Sequence, residues 1–227
     1  MREVIDEILK EIDYPSNPYF RTLHNGEFDL EDFVETQKQF YYAVTFFSRP
    51  MAALSAKIPT PELRLEIVRN VWEEHGEGDA GKIHGNTFIE FLHRLAGVKP
   101  DILEKSKLWP ETRIFNTGLV GTCVLDEYQV GASLMGMIEL MFSDISSIIG
   151  RGIVKRGWLK EKEMIHYSLH EELDIKHSQD FFDILEKPWK SSKNERYLVE
   201  QGLLMGAQIF NNFYEGLYRG RKRRWQL

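Results

Sequence analysis

The sequence predicts an all-α fold, a bundle of about eight helices. Three observations carry this. Apolar residues recur at spacings of three and four through most of the chain. Helix starts and stops are well marked. No run alternates with period two between turn residues, as a half-buried strand would. No internal repeat, low-complexity segment or long linker divides the chain, so residues 1–227 read as a single domain with a basic tail from about 219.

Met1 to Asp13 carries Val4, Ile5, Ile8, Leu9 and Ile12 at helical spacing, and Tyr14-Pro15-Ser16-Asn17-Pro18 breaks it. A short helix is expected from Tyr19 to His24, stopped by Asn25-Gly26. Asp29 is a good N-cap for a long helix through Phe33, Phe40, Tyr41, Val44 and Phe47 toward Ala56, with a kink expected at Pro50. Thr60-Pro61-Glu62 is a strong helix start. That helix carries Leu63, Leu65, Ile67, Val68, Val71 and Trp72, and ends near Gly76-Glu77-Gly78. His84 to Ala96 reads as a helix stopped at Gly97, and Pro100 to Pro110 as a connector. Glu111 to Leu125 and Glu127 to Gly150 are two apolar helices, followed by a basic, glycine-containing turn to Gly157. Lys160 to Lys187 is helix-permissive up to Pro188, and a last helix spans roughly Ser192 to Tyr218.

Bulk properties narrow the function classes. Hydrophobic content of 42% and charged content of 28% fit a globular protein with a full core. The net charge of −6 argues against nucleic acid as a partner. The single cysteine, Cys123, rules out an internal disulfide and points to a reducing compartment. No signal-peptide core opens the sequence. The most apolar stretch, Val130 to Ile149, is interrupted by Glu139 and Asp144, so no membrane span and a cytoplasmic location are expected.

The chemistry is concentrated in His170-Glu171-Glu172-Leu173-Asp174-Ile175-Lys176-His177, which reads H-x-x-x-D-x-x-H. A helix turns about 100° per residue, so Asp174 falls at about 40° and His177 at about −20° from His170. The two imidazoles and the carboxylate therefore share one face over two turns. Neutral imidazole and carboxylate are ligands for iron, manganese or zinc. A two-metal site in a bundle needs further ligands from other helices. Candidates are Glu74, at the end of the helix from Thr60, and His84, which opens the next helix. Glu139 lies in an apolar stretch. It either borders the polar face that holds Asp144 or points inward and is neutralised by a cation, since an unpaired buried carboxylate is costly.

Together Glu74, His84, Glu139, His170, Asp174 and His177 make three carboxylates and three histidines from four segments. The pattern Glu-Glu-x-Gly-x-Gly-Asp…His at Glu73 to His84, then Glu139, then the H-x-x-x-D-x-x-H stretch, resembles the haem-oxygenase-like di-iron oxidases and oxygenases. Their superfamily includes the chlamydial death-domain-associating protein, thiaminase II and pyrroloquinoline quinone synthase. The likeness extends along nearly the whole chain. It implies a haem-oxygenase-like fold, two iron ions or an iron/manganese pair, O2 as co-substrate, and an external reductant with its electron donor. It also implies oxidative C–H or C–C chemistry on a small carboxylic acid of fatty or amino acid type. A homodimer remains open.

Glu77, seven residues before His84, rivals Glu74; the resemblance favours Glu74, which sits in the helix before the glycine break, where the family's ligand sits. Two departures narrow the activities. Phe40 to Ser48 lacks the extra carboxylate of the family's N-oxygenases. Ile138 and His166 stand where the members that make p-aminobenzoate from their own tyrosine have tyrosines. His75 and Asp79 are candidates to orient ligands, or are solvated residues at a helix end. Tyr41, Phe47, Trp72 and Phe88 are candidate pocket walls, or simply core. His24 precedes Asn25-Gly26 and reads as a helix-end residue rather than a haem ligand. Cys123 lies in an apolar helix and reads as packed rather than nucleophilic. The tail Arg219 to Gln226 is either a solvated terminus or a surface for an anionic partner. The rival functions are a metal-free enzyme of the superfamily, whether a thiaminase-like hydrolase or a cofactorless oxidase, and a non-catalytic binding protein on the same bundle.

Overall fold

The computed structural model describes residues 1–224, without the side chains of Ile165 and of residues 168–173. Among the described residues there are ten α-helices and no strand. They are α1 (Arg2–Ile12), α2 (Pro18–Asn25), α3 (Leu30–Ser55), α4 (Pro61–Glu74), α5 (His84–Ala96), α6 (Pro100–Lys105), α7 (Pro110–Leu125), α8 (Tyr128–Lys155), α9 (Ile165–Ser191) and α10 (Lys193–Gly220). Ten rather than about eight helices form because short apolar segments also find partners. One is α6, expected as a connector, which seats Leu103 in the core.

Several starts follow directly from side-chain capping. Asp29 accepts from the Glu31 and Asp32 backbone N–H groups to open α3, and Thr60 accepts from Leu63 N–H ahead of Pro61 to open α4. Other boundaries differ from expectation. The basic glycine-containing segment after Gly150 is no turn, because α8 continues to Lys155 with Gly152 and Ile153 buried. The next helix starts at Ile165 rather than Lys160, after a 3-10 turn at Glu161–Glu163, and continues through Pro188 to Ser191. Packing overrides the proline there: Leu185 is buried, and the Trp189 ring rests on the core under the Arg196 guanidinium, 4.6 Å from its centroid.

The bundle is arranged around α8, which packs most extensively against α9 and α10. A Cβ on Gly202 would lie 2.3 Å from the Val130 carbonyl oxygen, and one on Gly206 2.6 Å from that of Leu134. Both glycines therefore let α10 approach the α8 backbone closely. α8 is long and apolar enough to cross a membrane by those measures alone, but 83% of its most apolar window is buried inside the bundle. Phe40, Phe88, Phe115, Phe142, Phe210 and Phe213 fill the interior, with Phe115 stacked on Phe213 at 4.4 Å between centroids.

α4 reverses the usual arrangement. Leu65, Val68 and Trp72 are exposed, whereas Ile67, Asn70 and Glu74 are buried. Its inward face is partly polar because it borders the site described next. The basic tail is pinned rather than solvated through Arg224: Arg221 and Arg224 pair with Asp32, Arg224 with Glu31 and Arg223 with Glu111. These acids lie in the first turns of α3 and α7, so the clamp joins the chain end to two helix starts.

Candidate metal centre

The site is assembled at the end of α4, the start of α5, the middle of α8 and the second half of α9. A double glycine turn makes this possible. α4 stops at Glu74, and Gly76 (φ 68°), Glu77 (φ 53°) and Gly78 (φ 86°) all take left-handed backbone. A Cβ on Gly76 would lie 2.7 Å from Ile83 N, so the returning chain passes directly over this residue. The Asp79 carboxylate accepts from Gly81 N–H and closes the second turn. The reversal sets His84 Nδ1 2.9 Å from Glu74 Oε1.

Glu74, His84, Glu139, Asp174 and His177 are all buried, at 8%, 4%, 3%, 0% and 0% exposure. Ligand atoms of Glu139, Asp174 and His177 lie within 4.8 Å of one another. Asp174 Oδ1 is 3.8 Å from His177 Nδ1, as i,i+3 neighbours on α9. Glu139 therefore points inward rather than bordering the polar face that holds Asp144. The His170 side chain lies outside the described residues.

Electrostatics show how costly this cluster is without a cation. Burial pushes the Glu139 carboxyl well above its ordinary range, and the neighbouring Asp174 and Glu74 push it further. The Asn70 side chain beside it pulls the other way. Burial likewise drives Asp174 well up, opposed by His177 and His84 and assisted by Glu74. Burial alone would lower the His84 imidazole, but Glu74, Asp174 and Glu73 outweigh it and hold it above the ordinary value. Two imidazoles facing three carboxylates in a dry interior form a donor set suited to a divalent first-row metal.

The neighbouring candidates fall elsewhere. Glu77 and Asp79 are exposed on the turn, and exposed His75 bonds through Nδ1 to the Val71 carbonyl oxygen at 2.7 Å. None of the three touches the cluster. An apolar cavity adjoins Glu74, His84 and Glu139, walled by Phe40, Val44, Phe47, Phe115, Ile138, Phe142 and Phe210. It holds about 440 Å³ of free space, its open mouth included. Phe47 thus lines it, whereas Phe88 lies behind Phe40, their centroids 5.7 Å apart, and Tyr41 sits beside Gly85. Trp72, a candidate wall, is 54% exposed instead and covers Gly78. Phe115 and Phe210 join the walls without any sequence signal separating them from ordinary core.

Two further residues were not singled out from sequence. Glu73 Oε2 lies 2.6 Å from His177 Nε2. Asn70 is 1% exposed beside Glu139. The signal for Asn70 was a polar residue at i−4 from Glu74 and i+3 from Ile67, on one helical stripe. His166 is buried with Nδ1 3.1 Å from the Thr87 hydroxyl, which itself donates to the His84 carbonyl. His24 Nε2 meets the Ile148 carbonyl oxygen at 3.0 Å, a structural tie. Cys123 is buried, and burial pushes its thiol up to about 12, so it is no ready nucleophile.

Solved structures with this helical arrangement define the fold as haem-oxygenase-like. A TenA homologue from Pseudomonas syringae pv. tomato superposes with a TM-score of 0.78 at 15% identity, covering 96% of this chain and 92% of its own. A TenA homologue from P. horikoshii gives 0.74 at 14% identity, covering 96% of each chain. A cadd-like protein of unknown function from Nostoc punctiforme gives 0.76 at 13%, covering 96% and 99%. Residues 34–210 match the family described as iron-containing redox enzymes, and the chain belongs to that family. Among characterised relatives, a 4-aminobenzoate synthase from Nitrosomonas europaea is 23% identical over 199 residues, 82% of this chain and 78% of its own.

Proposed function

We propose that this protein is a non-haem di-iron oxidase or oxygenase that acts on a small carboxylic acid. One observation carries the reading: Glu74, Glu139 and Asp174 are buried together, with His84 and His177 beside them, where a bound cation would relieve the mutual repulsion of three carboxylates. Glu74, His84, Glu139, Asp174 and His177, with His170 from the preceding turns of α9, would hold two irons, or an iron and a manganese. When bound and reduced, such a centre supplies O2 activation.

The rest of the task falls to the chain. The phenylalanine walls exclude water and pack the apolar part of the substrate beside the carboxylate cluster. Among the described residues no lysine or arginine lines the cavity, so the acid head of a substrate would be directed toward the metal-holding residues. Membership of the iron-containing family supports the choice of metal. An external reductant and its donor are required to return the centre to its reduced form.

A second reading, a self-modifying aminobenzoate synthase, draws on the Nitrosomonas europaea relative. Ile138 and His166 weigh against it, standing where such enzymes have tyrosines. One experiment separates the two. Fe(II) is added anaerobically, O2 is admitted with a panel of fatty and amino acids, and both small molecules and intact protein are weighed by mass spectrometry. We expect about two irons per chain and an altered small molecule with unaltered protein mass. A change in protein mass without added substrate favours the second reading. Saturation at one iron, with His84→Ala unchanged in capacity, overturns the first.

A further inference from the structure

Glu73 is absent from the ligand set, yet it makes the closest polar contact to one of its histidines. Glu73 and Glu74 are adjacent at the end of α4 and diverge: Glu74 reaches His84 on α5, and Glu73 reaches α9. Glu73 Oε2 lies 2.6 Å from His177 Nε2, and Oε1 lies 3.6 Å from Lys176 Nζ. A carboxylate only accepts hydrogen bonds, so the proton of a neutral His177 must sit on Nε2. Its lone pair is then on Nδ1. That atom is buried, 3.8 Å from Asp174 Oδ1, without a hydrogen-bond partner among the described residues.

We propose that Glu73 is the positioning residue of the metal centre: its carboxylate fixes His177 in the Nε2–H tautomer, and His177 would coordinate through Nδ1. The inference rests on the metal-centre reading above for its second half only. The tautomer is a property of the metal-free chain. A carboxylate behind a ligating imidazole raises its basicity and locks its ring orientation. Lys176 also ties Glu73 to α9 on its solvent side, so the acceptor is held from both oxygens.

The test uses the full chain as wild type, Glu73→Gln and Glu73→Ala. Histidine-labelled metal-free protein is examined by long-range proton–nitrogen NMR, with His177 assigned by its loss in His177→Gln. Co(II) affinity and capacity are then measured by visible absorption. We expect the Nε2–H tautomer in wild type, retained in Glu73→Gln, whose amide oxygen still accepts, and mixed in Glu73→Ala. We expect Co(II) affinity to fall about 10–100-fold in Glu73→Ala with capacity unchanged, and less in Glu73→Gln. An Nδ1–H tautomer in wild type overturns the proposal. So does wild-type affinity in Glu73→Ala, which would make the contact incidental. A loss of one whole equivalent in both variants also overturns it and makes Glu73 a ligand. Failure of wild type to bind Co(II) at all sinks the metal-centre reading, while the NMR outcome still decides the tautomer.

Discussion

Replacing Glu139 by methionine is expected to stabilise the metal-free protein while destroying its response to metal. Glu139 sits in α8 between Met137 and Met141, and its carboxyl is held well above its ordinary range by burial, Asp174 and Glu74. A carboxyl raised in the folded state costs stability at every pH above its unfolded value near 4.3. The penalty is absent in acid, grows as pH rises through the unfolded value, and levels off above the folded one. Metal-free wild type should therefore gain stability as pH falls from about 7 to about 5, by up to ~1.4 kcal/mol per pH unit for each such carboxyl. Glu139→Met removes one of the two cluster carboxyls that are driven well up and should flatten that slope. Replacing buried charge by apolar side chains of similar volume stabilises by ~1–4 kcal/mol. At about 2–4 °C per kcal/mol for a chain of this length, a 2 kcal/mol gain raises Tm by ~4–8 °C. Mn(II) reverses the order, because wild type gains ~2.7 kcal/mol at a hundredfold excess over Kd and the variant loses a ligand. The assay is thermal and urea unfolding with EDTA and with Mn(II), across pH. A variant less stable than wild type in EDTA, with an unchanged pH slope, would refute the reasoning. It would mean that Glu139 is satisfied by Asn70 and its neighbours without any cation.

Glu74→Ala should abolish binding of at least one metal equivalent, whereas Glu77→Gly should leave capacity intact. Glu77→Gly should also raise stability by about 1 kcal/mol, because Glu77 holds a left-handed φ of 53° that glycine adopts freely. Metal analysis and urea unfolding read both effects. Cys123 should react with a thiol reagent near neutral pH at least on the order of a hundredfold more slowly in the folded than in the unfolded protein, given a thiol pushed up to about 12. Arg224→Ala should cost at most about 1 kcal/mol, since the guanidinium that pairs with Asp32 and Glu31 is 34% exposed. A larger loss in urea would show that Arg224 secures α3 more firmly than partly exposed ion pairs can.

Much of this protein was legible one residue at a time. The helical period, the Thr60-Pro61 start, the Gly97 stop and the shared face of Asp174 and His177 are local properties, settled by backbone geometry within a turn or two. The spacing of His170, Asp174 and His177 was enough to suggest a metal, and the family resemblance added Glu74, His84 and Glu139. Other features depend on which surfaces meet. Trp72 reads from sequence as a pocket wall or core, yet α4 turns it outward with Leu65 and Val68, because the other face carries Glu74 and Asn70 to the cluster. The left-handed turn at Gly76 to Gly78 leaves Glu77 exposed and folds His84 back onto Glu74, a reversal that brings distant atoms together. Glu73 opens the Glu-Glu-x-Gly-x-Gly-Asp pattern, but nothing local points to its 2.6 Å contact with His177 across 104 residues. Propensity and spacing act along the chain. Burial, tautomer and shifted acidity are set by atoms brought together from distant segments, and only the packed bundle contains them.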